Sequence, residues 1–470
     1  MGGGASPRLP LSSAGGRWLI AATALGSGIA FLDGTVVNVA LPSIRRELGG
    51  GLTAQQWVVD GYLLTLSALL LLGGALGDRY GRRRIFVIGL VAFAVTSFGC
   101  GVAPSPAALV IARAAQGIAG ALLVPGSLAL IDEAIDPRDR GRAVGAWAGL
   151  SGVSTAIGPF IGGWLVDAVS WRLVFFINLP LAAIAVAIAV WRLPERIAVR
   201  ASSLDLAGAF LVTAGLAGVI YALIEAPTSG RGGDVTAAAV VGVGCLAAFF
   251  VVEARRAAPM LPLTIFRSRQ FSGANLTTLA VYAALGGALF LLSLQLQESL
   301  RYSAFAAGLA MLPVTVIMVA LSPRMGALSD RPRTPMTIGP LVAGVGLALM
   351  ARVTPGRGYV DSVLPAVVVF GIGLSLTVAP LTSTVLAAVE QEQVGIASGV
   401  NNAVARIAGL LAVAVLPVAA GVKGGGALGP GFGRAMLLSA ALCWAGGLVS
   451  FVTIRAGSRE PEGAASKVEP

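Results

Sequence analysis

Histidine is absent from this 470-residue chain, and cysteine occurs three times. The first absence removes the commonest metal ligand and the usual general base at neutral pH. Cys100, Cys245 and Cys443 fall in separate apolar runs without CxxC spacing, so neither disulfides nor a metal site is expected. Charge is scarce as well: 12% of residues are charged, against about 25% in an ordinary soluble domain. No GxxxxGK[ST] phosphate loop is present, so ATP hydrolysis through such a site is excluded. No nucleophile with a base and no cluster of metal ligands can be picked out, so the chain is not expected to be an enzyme or to hold a cofactor. Uphill work would have to draw on an ion gradient.

What is present is apolar sequence, 56% of the chain. Runs of roughly 20 apolar residues, enough to cross about 30 Å of hydrocarbon as a helix, recur throughout. Fourteen are expected, at 18–42, 54–76, 85–103, 107–131, 141–166, 173–192, 204–225, 235–252, 271–297, 304–325, 335–353, 361–386, 395–420 and 433–453. The reading is an all-α polytopic membrane protein. The first run lacks the cleavage-site pattern of a signal peptide and reads as a retained span.

Short cytoplasmic loops collect Lys and Arg. With the N-terminus inside, 22 of these residues fall on cytoplasmic segments and 9 on outer ones, which places both termini in the cytoplasm of a cell-membrane protein. The net charge of +11 follows from this topology. Neither a basic helix nor a basic and aromatic platform for nucleic acid is present.

The stretch GGALGDRYGRRRIF, residues 73–86, packs one acid and four arginines between Asp78 and Arg84. Its core, GALGDR at 74–79, returns as GALSDR at 326–331. Parallel internal repeats of this kind build secondary transporters whose substrate sits between two rocking halves. Eight runs separate the echoes where two plain six-helix halves would have six. The expected organisation is therefore a six-helix bundle over 1–200, two inserted helices within 201–258, a second six-helix bundle over 259–455 and a cytoplasmic tail, 456–470.

These residues resemble a family. GALGDRYGRRR is similar to the loop signature of the major facilitator superfamily, and FLDGTVVNVALP (31–42) to the first-helix motif of its fourteen-helix drug/proton antiporter branch. LVIARAAQGIAGA (109–121), GPFIGG (158–163), WRLVFFINLP (171–180), Asp205 and PLTIFRSRQF (262–271) resemble further motifs of that branch, in order along nearly the whole chain. The resemblance implies a multidrug efflux protein that exchanges protons for hydrophobic or cationic compounds, acts as a monomer and confers antibiotic resistance.

In the loop, Gly74 is expected to let helices approach, and Gly81 to permit the turn. Arg82 and its neighbours satisfy the positive-inside rule by themselves; Asp78 is not needed for that. The resemblance implies that Asp78, with Arg79, Arg82, Asp330 in the echo and Arg406 in NNAVARIAG (401–409), forms a cytoplasmic latch. Arg406 is placed toward the cytoplasmic side of its run, with a snorkelling arginine as the competing reading.

Charge inside a span costs roughly 2.5–3.5 kcal/mol even on lenient scales, so embedded ionisable residues point to function. Asp33, Asp60 and Arg113 each lie about 9–14 Å below the outer surface by helix rise, close enough to share a pocket. Asp33 is expected to carry the proton or answer a cationic substrate, with Arg113 tuning it. A static ion pair that fixes helix packing is the alternative. Gly158, Pro159, Gly162 and Gly163 form the segment that the resemblance associates with export, where Ser154 replaces the usual glycine. Glu225 and Glu298 are expected to be solvated at span ends. Trp57, Tyr62, Phe31 and Tyr282 are candidates either for a drug cavity or for interfacial anchors.

Proton-driven export by alternating access is the leading reading. A dedicated exporter of one self-made metabolite or a lipid, and a non-transporting scaffold or sensor, remain open beside it.

Overall fold

The computed structural model describes residues 8–193, 204–229, 232–256, 259–326, 332–390, 393–422 and 428–455. Asp330 and the expected tail lie outside the described residues. Within them the chain is helical: α1 Ala14–Leu48, α2 Leu52–Tyr80, α3 Arg82–Gly101, α4 Pro106–Ala134, α5 Arg140–Ala168, α6 Leu173–Arg192, α7 Leu206–Ser229, α8 Gly233–Arg255, α9 Arg269–Ser299, α10 Ala304–Ser322, α11 Arg333–Met350, α12 Tyr359–Ala387, α13 Val394–Ala419 and α14 Gly429–Thr453. All but α11 are long and apolar enough to cross a membrane. The start of α11, Arg333, Thr334 and Pro335, dilutes its apolar run, yet the helix stands where the sequence predicts it. This is a multi-pass membrane protein.

Serines set several of the starts. Ser13, Ser105, Ser268 and Ser303 each accept a hydrogen bond from a backbone N–H in the first turn of α1, α4, α9 and α10, satisfying donors that the helix itself cannot.

Helices α1–α6 pack as one bundle and α9–α14 as another. The pair α7–α8 sits between them in sequence and packs against α2 and α13. Its own seam is built on glycine: a Cβ on Gly218 would lie 2.6 Å from the Ala238 carbonyl oxygen. Asp205 ties the inner end by accepting from Gly208 N–H at 2.8 Å and pairing with Arg256.

The apolar core shows how the bundles meet. Toward the ends that the charge asymmetry makes outer, one cluster runs through both, joining Leu41, Ile44 and Trp171 to Phe290, Leu294 and Leu347. Toward the arginine-rich inner ends the core divides. Leu19, Phe86, Leu130 and Ile135 belong to the first bundle alone, and Phe271, Met336, Val385 and Ile454 to the second. Hydrophobic burial thus closes the molecule on the outer side and leaves a cleft that widens inward.

Candidate functional site: a buried charge network beneath a closed outer face

Asp33, on α1, is completely buried. Its Oδ2 accepts from the Arg113 guanidinium of α4, and its Oδ1 accepts from Gln116 Nε2 and Asn178 Nδ2, each at 3.0 Å. Gln116 and Asn178 also donate to Ser97 Oγ, at 2.7 and 3.2 Å. Arg113 donates to the Val58 carbonyl at 3.0 Å and to Gln116 Oε1 at 2.6 Å, and lies 4.2 Å from the centre of the Tyr62 ring. Five helices, α1, α2, α3, α4 and α6, contribute to one network. A charge pair removed from water persists only when hydrogen bonds complete it, and here every oxygen of Asp33 is engaged.

Asp60 is buried like Asp33, but neither of its oxygens has a partner among the described residues. It is not solvated near the headgroups, because its side chain is sealed inside the bundle. Sequence reasoning brought Asp33 and Arg113 to one depth, and the structure brings them into contact. It missed Gln116, Asn178 and Ser97. Their signal was an uncharged polar residue inside an apolar run; Gln116 also stands three residues after Arg113, on the same helical face.

The Gly-rich segment of α5 forms the outer seal. A Cβ on Gly158 would lie 2.3 Å from Thr35 Oγ1, one on Gly162 2.3 Å from Val36 Cγ2, and one on Gly163 2.4 Å from the Ala304 carbonyl oxygen. From α10, Gly308 meets the Pro159 carbonyl just as closely, at 2.2 Å. Ser154 is accommodated by Gly28, whose Cβ would sit 2.6 Å from its hydroxyl. Asp167 accepts from the N–H groups of Ala304 and Phe305 at 3.1 and 2.8 Å. Arg45 pairs with Glu298 at 3.0 Å, and Gln297 donates to the Val39 carbonyl at 3.0 Å. Glu298 is therefore a clamp between the bundles and not a solvated end group. Glu225 likewise accepts from Trp57 Nε1 at 2.9 Å, docking α7 on α2. Toward the inner end of α5 the pattern reverses: Gly145, Gly149 and Gly152 have nothing within 4 Å where a Cβ would stand.

At the inner loop, Asp78 pairs with Arg82 at 2.9 Å, and Arg82 donates to the Ala129 carbonyl at 2.6 Å. Arg79 lies over the Tyr80 ring. Gly81 has φ 99°, the left-handed turn that glycine permits. The close helix approach belongs to Gly73 and not to Gly74. A Cβ on Gly73 would be 2.1 Å from the Ala121 carbonyl oxygen, whereas one on Gly74 would rest 3.6 Å from Pro125.

Arg406 is not at this loop. Helix α13 begins at Val394, so twelve residues of rise carry Arg406 about 18 Å along the axis, to mid-membrane depth. Its guanidinium lies over the Phe31 ring of α1, 4.9 Å from the centroid, and a Cβ on Gly34 would sit 4.0 Å from it. The structure does not bring it together with Asp78.

The arrangement can do three things chemically: hold one acid against an arginine, hold a second acid without a partner among the described residues, and keep both away from the outer side. Known proteins agree with this architecture. Residues 23–413 match the family model described as Major Facilitator Superfamily. The chain is 38% identical to puromycin resistance protein pur8 of Streptomyces alboniger over 82% of its own length and 78% of the relative's. It is 36% identical to the tetracenomycin C resistance and export protein of Streptomyces glaucescens, over 87% and 77%. It is 34% identical to a methylenomycin A resistance protein of Bacillus subtilis, over 92% and 95%. Among solved structures it superposes on a peptide transporter, POT, with a TM-score of 0.68 at 14% identity, covering 94% of this chain and 96% of that one. For the E. coli xylose transporter XylE the TM-score is 0.62 at 14% identity, covering 92% and 97%. The chain belongs to the Major Facilitator Superfamily.

Proposed function

We propose that this protein is a drug-efflux transporter that exports small hydrophobic compounds, antibiotics among them, in exchange for protons by alternating access across the cell membrane, with both termini in the cytoplasm. The observation that carries the reading is the pair of embedded acids in opposite surroundings. Asp33 is neutralised by Arg113 and fully hydrogen-bonded, whereas both oxygens of Asp60 are buried without a donor. An ionised carboxylate in the second position would be charged with no compensating donor or cation beside it. Two acids in such different surroundings, one paired with an arginine and one unpaired, are a means of handing a proton across as the bundles move.

In this reading a proton that reaches Asp33 from the outer side cancels the attraction to Arg113 and loosens α1 from α4. Arg113 retains Val58 and Gln116, so it is released from the acid without being orphaned. The glycine seal of α5 against α1 and α10 prevents a proton from crossing while the inner side is open. The same seal argues against a non-transporting scaffold, which has no need of an outer face closed by such tight helix contacts and by the Arg45–Glu298 pair. The contact of α5 with both α1 and α10 favours a transporter that alternates, and gradient energy takes the place of a cofactor.

The test is proton release from acidified everted vesicles containing the protein, followed with a pH-sensitive dye as a panel of acidic, neutral and cationic antibiotics is added. At least one compound should discharge the gradient with the wild type and none with Asp33→Asn. Equal discharge by Asp33→Asn would remove Asp33 from the coupling path.

A further inference from the structure

Among the described residues, four side chains of the acidic and basic types lie at mid-membrane depth: Asp33, Asp60, Arg113 and Arg406. The first three are fully buried within the first bundle. Arg406 differs: it is half-buried, and its guanidinium spans from the second bundle to Phe31 and Gly34 of the first. It makes no hydrogen bond and no ion pair with any described residue, and its neighbour is the face of Phe31. Around it the cleft is aromatic. Phe31 packs edge-on against Trp147 of α5, with ring centroids 6.5 Å apart, and the Tyr282 and Tyr62 phenols lie within electrostatic reach. Tyr62 is itself sealed and donates to the Ala30 carbonyl at 2.9 Å.

A compound entering from the inner side therefore meets one accessible charge, and it is positive. Both carboxylates of the same layer are out of reach. A cation would be repelled and find no counter-charge, whereas a carboxylate would meet five N–H donors in fork geometry that have no other acceptor.

We propose that Arg406 determines substrate class. On this account the transporter prefers hydrophobic aromatic weak acids, binding the carboxylate or phenolate on the Arg406 guanidinium and the ring system against Phe31, which the buried Trp147 backs, and Tyr282. This rests on the export reading above and narrows it. The role of answering a cationic substrate, expected of Asp33, finds no accessible carboxylate in this conformation, and Arg406 recognises the opposite sign.

The experiment uses the full-length protein in lipid nanodiscs and three matched probes: anthraquinone-2-carboxylic acid, its carboxamide and 2-(aminomethyl)anthraquinone. Binding is measured by equilibrium dialysis at pH 7.5. The wild type should bind the acid at least roughly tenfold more tightly than the amine, the scale of a charge-assisted hydrogen bond. Arg406→Gln should weaken the acid by about tenfold or more while leaving the carboxamide nearly unchanged. Arg406→Lys, which keeps the charge and loses the fork, should retain part of the preference. A wild type that binds the amine as tightly as the acid, or an Arg406→Gln that weakens all three probes alike, would overturn the assignment while leaving the exporter reading standing. If the wild type binds none of the probes and no compound in the vesicle panel releases protons, the exporter reading falls and this proposal with it.

Discussion

The two bundles treat buried polarity in opposite ways. In the first, Asp33, Arg113, Gln116, Asn178 and Ser97 satisfy one another in a sealed network. In the second, the buried polar groups are uncharged: Asn401 donates to Asn275 Oδ1 at 3.2 Å and to Thr278 Oγ1 at 2.7 Å. Its one charge at mid-membrane depth, Arg406, is left facing the cleft. A sealed charge network changes state only when a proton arrives or the helices move, so it suits coupling. A half-buried arginine with free donors suits recognition. The difference divides the labour of transport between the halves.

The comparison breaks most readily at its sealed side. Asp33→Asn should abolish proton-driven transport, with rates down by about two orders of magnitude or more, the scale on which removing an essential proton-transfer group acts. Vesicle pH measurements check this. Removing the partner instead should strike the fold. Arg113→Ala leaves Asp33 buried and uncompensated, a loss of about 3–5 kcal/mol, read as a marked fall in melting temperature in detergent. The double variant Asp33→Asn with Arg113→Gln should regain most of that stability and none of the transport, because stability needs neutrality while coupling needs a titrating acid.

The outer seal offers a smaller effect. Gly163→Val places a side chain where the Ala304 carbonyl leaves 2.4 Å, so the outer-closed state should lose population. Cysteine labelling at Val37→Cys, buried in the outer core, should then speed up several-fold against the same cysteine in the wild-type background. No change in labelling would mean that the contact does not hold the gate.

The smallest effect is expected at the inserted pair α7–α8. Burial acts in the opposite sense, but the Glu253 hydrogen bond, the Gly208 N–H and Arg256 together hold the Asp205 carboxyl below its ordinary value of 3.8. A lowered folded-state value means that the stabilisation is complete above pH 4 and is lost only as the pH falls below it. Asp205→Ala should therefore cost about 1 kcal/mol, the worth of a helix cap. Because burial and the hydrogen bond to Asp205 push the Glu253 carboxyl up to about 7, the proton between the two acids is in place only at the lower pH, and the melting difference should grow from pH 8 to pH 5. A difference that shrinks over that interval would contradict the assignment.

Much of this was legible in the chain. Helix positions follow from run length and loop charge, and the depth of Asp33 and Arg113 follows from helix rise. Gly81 is readable because only a left-handed turn links α2 and α3. The rest depends on register between helices distant in sequence. Gln116 and Asn178 look like unremarkable polar residues until α3, α4 and α6 bring them to Asp33. Arg406 reads as a gate residue from its motif, although the run expected from residue 395 already carries it eleven residues in; only its contact with Phe31 and Gly34 of α1 makes it a cleft residue. Gly73 and Gly74 are indistinguishable in sequence; only the path of α4 selects the first. Glu225 and Glu298 read as solvated because their partners, Trp57 and Arg45, are far away along the chain.

The division of labour is tested most directly by comparing two transport modes in proteoliposomes loaded with one identified substrate. Exchange of internal for external substrate requires recognition and movement but no net proton transfer; accumulation driven by an imposed pH gradient requires coupling. The account predicts that Asp33→Asn retains exchange and loses gradient-driven accumulation, while Arg406→Gln lowers both together for an acidic substrate. An Asp33→Asn protein that still accumulates substrate down the proton gradient would contradict it.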